Sequence, residues 1–294
     1  MKILVTADLS TIDVLLKKPV SGLVFGLQSL SQRVREPLSV ETLEDCAKRC
    51  QKAGKEIYVN MNALIEEDGL GTLEKTAKEI VDLPVDGILF ADLAVYEAFA
   101  RFGKQNRLMY YPETYVTSPS DVEFWSEQGI QSVVLSRELT LSSIEKIAAR
   151  KTMPLAMIGH GYLNMFHSKR RLIKTFFDHT KDRDFKTLKQ KTFTLVEELR
   201  EDPYPIYQDE FGTHIFRSRP LASFKVLDRL QEAVDVFLID TLFYEASRIP
   251  QIVDDYAAAL ESPPTSALLE RYEDHDDGFL FQETSELKTR GDSQ

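Results

Sequence analysis

Residues 107–158 read RLMYYPETYVTSPSDVEFWSEQGIQSVVLSRELTLSSIEKIAARKTMPLAMI. Three short apolar runs stand out in it, Arg107–Tyr111, Ser132–Leu135 and Leu155–Ile158. Between them, Asp121–Gln128 and Leu141–Ala149 repeat their apolar positions at helical spacing. Strand, helix, strand, helix, strand is the pattern of a parallel sheet with helices packed outside it. Working toward the N-terminus, Gly87–Ala91, Glu56–Asn60, Gly22–Leu27 and Ile3–Ala7 read as four more strands. Leu73–Val81 and Val40–Ala53 are helical stretches, with Ser39 and Ser120 placed to cap their helices. Toward the C-terminus, Leu221–Glu232 reads as a helix and Val234–Ile239 as the eighth strand. Eight strands predict closure, so the expected fold class is α/β, a (β/α)8 TIM-like barrel, which needs about 250 residues.

The repeat breaks between Tyr162 and Ser218, too long a gap for a crossover. An insertion over about 162–218 is expected there, with a basic helical segment, then Pro203 and Pro205, then a hairpin from Ile206–Gln208 and Thr213–Phe216 around Glu210 and Gly212. Lying between the seventh and eighth strands, it would rise over the barrel mouth, where functional loops gather. The expected organisation is one barrel domain over 1–260 and an acidic, flexible tail over 261–294. Nine of the tail's residues are acidic and three basic. A solvated tail is the plain reading, with docking of Phe279, Leu280 and Phe281 on a partner as the alternative.

The formal charge of -11 argues against broad affinity for phosphate backbones. Residues 160–191 are the local exception, with nine basic residues against Asp178, Asp182 and Asp184. No apolar run approaches the ~20 residues of a membrane span. The two cysteines, Cys46 and Cys50, form no disulfide framework and fit a reducing compartment. A cytoplasmic protein is expected.

Three segments resemble the collagenase-like peptidase family U-32. In Thr114–Ala148, the residues Gly129, Val133, Val134, Leu135, Arg137, Glu138 and Leu139 fit in order. In Leu155–Arg171, LAMIGHGYLNMFHSKRR, the fit is His160, Gly161, Phe166, Ser168 and Arg170, with Arg171 where most members have a cysteine. Tyr204–Asp240 is similar to the closing segment, His214 matching a Gly-Thr-His triplet. The resemblance implies a barrel with a pocket at its mouth. Some members are described as peptidases; other branches are prephenate-dependent hydroxylation proteins with a four-cysteine iron–sulfur cluster. Short and cysteine-poor, this chain resembles the shorter of two paralogues that hydroxylate the wobble uridine of tRNA to 5-hydroxyuridine in Gram-positive bacteria.

Such a cluster needs about four thiolates. With two cysteines in an early helix, no cofactor is expected on this chain alone; the iron–sulfur cluster is expected on a larger paralogue partner, in a heterodimer. Prephenate is a candidate small molecule, and tRNA a candidate partner through 160–191.

The catalytic candidates are His160, Asp240 and Glu138, each at the C-terminal end of a strand. For His160 the alternative is a structural histidine, and for Glu138 and Asp240 an internal Arg–carboxylate pair. The substrate-binding candidates are Arg170 and Arg171, suited to a dicarboxylate or an RNA phosphate, with Arg137, Ser168 and His214. Lys169 reads as a solvated face. Asn60, Asn62, Asp92, Tyr110, Tyr111 and Glu113 are further mouth positions, with packing as the alternative. No metal-ligand spacing and no Gly-x-Ser-x-Gly elbow occurs. A tRNA hydroxylation subunit, a collagenase-like hydrolase and a non-catalytic partner-binding barrel all remain open.

Overall fold

Alternation of side chains across each strand sorts the apolar residues into two layers. Leu4, Val24, Tyr58, Leu89, Met109, Val134, Ala156, Val236 and Leu238 meet in one buried cluster. Their neighbours, among them Val5, Phe25, Val59, Ile88, Val133, Leu155 and Phe237, join a larger cluster with the helices. The first cluster fills a barrel and the second binds its outer layer. The structure, a computed structural model, describes residues 1–180, 192–196, 198 and 202–282.

Thirteen strands are described: β1 (Lys2–Thr6), β2 (Gly22–Gly26), β3 (Glu56–Met61), β4 (Gly87–Phe90), β5 (Leu108–Tyr110), β6 (Ser132–Val134), β7 (Leu155–Gly161), β8 (Asn164–Ser168), β9 (Thr192–Leu195), β10 (Tyr204–Asp209), β11 (Gly212–Phe216), β12 (Leu221–Ala222) and β13 (Val236–Ile239). The first seven and β13 pair in parallel around a closed ring, sealed by β6 against β7 and by β13 between β7 and β1. This is the (β/α)8 barrel expected from the sequence. The two-residue β12 pairs antiparallel with the far end of β7.

The insertion builds its own antiparallel sheet, in the order β8, β11, β10, β9. Its hairpin matches the sequence reading, but β8 and β9 were not anticipated. Helix Leu172–Thr180 begins the basic segment, whose residues 181–191 lie outside the described residues.

Three expectations need correction. Helix Pro119–Glu127 is capped by Ser118, not Ser120; Ser118 and Asp121 form a capping box with Pro119 in the first turn. The expected helix Leu221–Glu232 is divided into β12, a 3-10 turn (Ser223–Val226) and a helix at Leu227–Ala233. The acidic tail is not free as far as Gln282: helix Ser266–Glu270 follows the barrel, and Tyr272, His275 and Leu280 are buried against it. Asp276 bridges Leu221, and Leu141 N–H donates to Leu280 O at 2.9 Å. Residues 283–294 lie outside the described residues.

Candidate functional site

Two residues beyond the inner layer, each strand sends its last inward position to the mouth. Thr6, Gly26, Asn60, Tyr111 and Asp240 occupy such positions and line a pocket with Asp8, Gln32, Arg33, Arg35 and Asn62 from the loops. Gly26 allows the loop after β2 to fold inward, because a Cβ there would lie 2.7 Å from Val34. That loop brings both its arginines to the pocket.

Arg35 pairs with Asp8, whose other oxygen accepts from Ser10 Oγ at 2.6 Å and Thr11 N–H at 3.1 Å. Burial raises the Asp8 carboxyl, but hydrogen bonds from Ser10, Arg35 and Thr11 outweigh it and hold the group below its ordinary value. Asp8 is therefore an anion already spent on its neighbours.

Arg33 and Arg137 converge on one carboxylate, Glu113, to which Asn164 Nδ2 also donates at 3.1 Å. The three charged side chains are 7%, 7% and 11% exposed. Burial brings Arg33 down to about 10, still a cation at neutral pH, and lifts Tyr111 to about 12 and Asp240 above the usual carboxylate value. Arg33 and Glu113 both have left-handed backbones, φ 58° and 70°. Conformations of this kind cost about 1–3 kcal/mol and persist where the surroundings hold them.

The insertion hairpin closes one side. Tyr207 donates its hydroxyl to Val34 O at 2.7 Å, and Arg33 N–H donates to Asp209 Oδ2 at 2.8 Å. His214 Nε2 lies 3.2 Å from Asp209 Oδ1, and its ring stacks on His167 at 4.6 Å. Burial lowers His214 to about 4 despite Asp209, so a neutral ring donates to the carboxylate. His214 thus holds the hairpin in place and does not itself line the pocket.

The sequence candidates divide. Asp240 and Arg137 belong to the mouth. His160 does not: β7 carries a bulge at Gly159, so Ile239 pairs with His160, not with Gly159, and the imidazole turns outward. It lies fully buried with Nδ1 3.2 Å from the Tyr256 hydroxyl, beside Tyr244, Tyr272 and His275. Burial, then His275 and Arg248, push its pKa well below the ordinary value. It packs in the outer layer against the Tyr256 hydroxyl and does not line the pocket.

Glu138 is exposed, away from the pocket lining. Ser168 accepts from Arg170 N–H at 3.2 Å and so shapes a turn. Arg170 and Arg171 are exposed, and Arg171 lines a second, more open cleft with His167, Lys169 and Glu210. Lys169 pairs with Glu66 at 2.9 Å. Asp92 caps helix Leu93–Ala100, and Tyr110 packs on Trp125 at 4.2 Å.

The sequence reading missed Asp8, Gln32, Arg33 and Arg35. The signal available was the long polar loop after the second strand, QSLSQRVREPLS, on the functional side of the barrel. Cys46 and Cys50 are buried in helix Val40–Lys52, the latter pushed up to about 12 by burial, and do not fit a cluster site. Among the described residues no group of three His, Cys, Asp or Glu side chains could hold a metal ion, and no helix is long and apolar enough to cross a membrane.

The chain is 28% identical over 263 residues to tRNA hydroxylation protein P2 of Bacillus subtilis, covering 88% of this chain and 85% of that protein. It is 24% identical over 151 residues to tRNA hydroxylation protein P1 of the same organism, covering 51% of this chain and 35% of the relative. The solved U32 peptidase Mk0906 superposes with a TM-score of 0.50 at 15% identity, over 81% of this chain and 92% of that one, and shares the fold. The model of Peptidase family U32 matches residues 7–279, from the end of β1 through the segment docked beyond β13, and the chain belongs to that family.

Proposed function

We propose that this chain is a subunit of an oxygen-independent tRNA hydroxylation system that converts the wobble uridine to 5-hydroxyuridine. The observation that carries the reading is its alignment along nearly the whole of a protein named for tRNA hydroxylation, at 88% and 85% coverage. Its cysteines support a division of labour. Two thiols buried in the helical layer do not make a cluster site, so the iron–sulfur cluster belongs on a larger family member acting as partner. The second hydroxylation relative, P1, supports a paralogue as that partner. Prephenate is the small molecule that the resemblance implies for the system.

Arg170 and Arg171 are the residues through which this chain would touch RNA. They are exposed, no ion pair engages them among the described residues, and guanidinium groups bind phosphate through paired donors. Nucleosides from a strain deleted for this gene and grown without oxygen test the reading by mass spectrometry. Loss of 5-hydroxyuridine, restored by the wild-type gene and not by the double variant Arg170→Ala, Arg171→Ala, is the expected result. Unchanged nucleosides in the deletion strain would remove the tRNA assignment and return the collagenase-like hydrolase reading to the front, with gelatin cleavage as its test.

A further inference from the structure

Outside the mouth, one strand of the insertion carries a surface complementary to itself. Among the described residues β8 pairs on one side alone, with β11. Its sequence, NMFHS, contains no charged residue and no proline, two of the devices that keep an open strand edge from pairing with another chain. The register against β11 slips at Met165, since Ile215 faces Phe166 and Phe216 faces Asn164. The extra residue is a bulge, and there Met165 and Phe166 are 43% and 46% exposed in succession.

Opposite charges stand at the two ends of this apolar pair. At the start of β8, Asn164 donates to Glu113, which also holds Arg137. Glu138 follows Arg137 in the chain, exposed and without an ion pair among the described residues. Tyr115, two residues past Glu113 and 74% exposed, adds apolar surface at that end. Beyond the other end of β8, Arg170 and Arg171 are exposed and equally unpaired among the described residues. The strand spaces its ends by about 13 Å, four steps of about 3.3 Å, so these charges do not meet within one copy.

We propose that a second copy of this chain docks here, about a two-fold axis that passes beside Met165 and Phe166. Half a turn lays the apolar pair on its own counterpart and brings Arg170 and Arg171 of each copy to Glu138 of the other. A patch that runs negative, apolar, positive along one strand is complementary to itself under that rotation, as an isologous interface requires. A nucleic-acid chain laid along the whole patch would set its phosphates against Glu138, like charge against like. The pairing does not rest on the tRNA reading. It engages the arginines that the reading assigns to RNA, so a copy held in the dimer offers them to no phosphate.

Sedimentation equilibrium of the full chain tests the proposal, with twice the chain mass as the expected result. Phe166→Glu, Glu138→Arg and Arg170→Glu should each weaken association by about tenfold or more, because each sets a charge against an apolar or like-charged surface. Their urea midpoints should stay at the wild-type value, since all three side chains are exposed. Glu138→Arg mixed in equal amounts with Arg170→Glu should restore the dimer, because every contact between the unlike copies again joins opposite charges. A chain that is monomeric at every concentration, single variants that associate as the wild type does, or a mixture no more associated than its components would overturn the proposal. A monomer that sediments with added tRNA or with the larger family member assigns the patch to that partner and overturns it equally. Because association is read on the purified chain, its failure is separate from unchanged nucleosides in the deletion strain.

Discussion

His160 shows how a residue can hold its strand position and lose its expected role. The imidazole is fully buried among Tyr244, Tyr256, Tyr272 and His275, with Arg248 and Asp274 as the nearby charges. Burial lowers His160, His214 and His275 below the ordinary 6.5. As pH falls through 6.5 the unfolded chain takes up these protons first, so stability is complete above that pH and declines below it. Each histidine kept neutral contributes about 1.4 kcal/mol of loss per pH unit. Asp8 and Asp209, both lowered, add their loss only below 3.8. Asp240, raised, acts with the opposite sign and is common to both proteins compared. Melting temperature should therefore fall more steeply between pH 6.5 and 5 in the wild type than in His160→Asn. Equal slopes would mean that His160 titrates freely. The sequence reading placed this histidine at a strand end facing the mouth, and the bulge in β7 turns it to the other side of the wall. Arg33 was the converse case, a central group in an irregular loop with no periodicity to mark it.

At the scale of elements, a single glycine reverses the side on which β7 presents its end. A Cβ on Gly159 would stand 1.9 Å from the Phe237 ring, so the bulge and its glycine belong together. Gly159→Ala should destabilise the chain by about 1–3 kcal/mol or more, the range for overpacking a core. Gly71→Ala is the control: in helix Leu70–Ile80, with nothing within 4 Å, it should stabilise by about 0.5–1 kcal/mol. Urea denaturation reads both, and a neutral Gly159→Ala would show that the ring yields. All eight barrel strands were legible, because apolar runs between helical stretches are a local signal. The flip at Gly159 was not, since a bulge is set by the register of two strands distant in sequence. β8 and β9 were missed for a related reason. Their apolar residues sit in mixed polar stretches and become strands by pairing with β11 and β10.

For the whole molecule, the segment after the barrel matters more than its composition suggested. Tyr272 and Leu280 are 6% and 5% exposed, separated by a run that contains Glu273, Asp274, Asp276 and Asp277. The acids read as a solvated tail; the fold pairs three of them, Asp274 with Arg248, Asp276 with Arg217 and Asp277 with Lys225. Burying one large apolar side chain stabilises by about 1.5–3 kcal/mol. Truncation after Glu261 should therefore cost about 5 kcal/mol, seen as a lower urea midpoint. An unchanged midpoint would show that the segment docks without contributing. Closure of the barrel could be inferred from the strand count, but this docking depends on which surface the closed barrel leaves open, which no local pattern encodes.

The hairpin's hold on the loop after β2 has one more consequence. Asp209 fastens to the Arg33 backbone while Tyr207 fastens to the next residue, so the lid and the guanidinium are one mechanical unit. Any partner that displaced the insertion would therefore displace the Arg33 backbone with it. Were a small molecule at Arg33 to change the affinity of the insertion for such a partner, thermodynamic reciprocity would require the partner to change the affinity for the small molecule by the same factor.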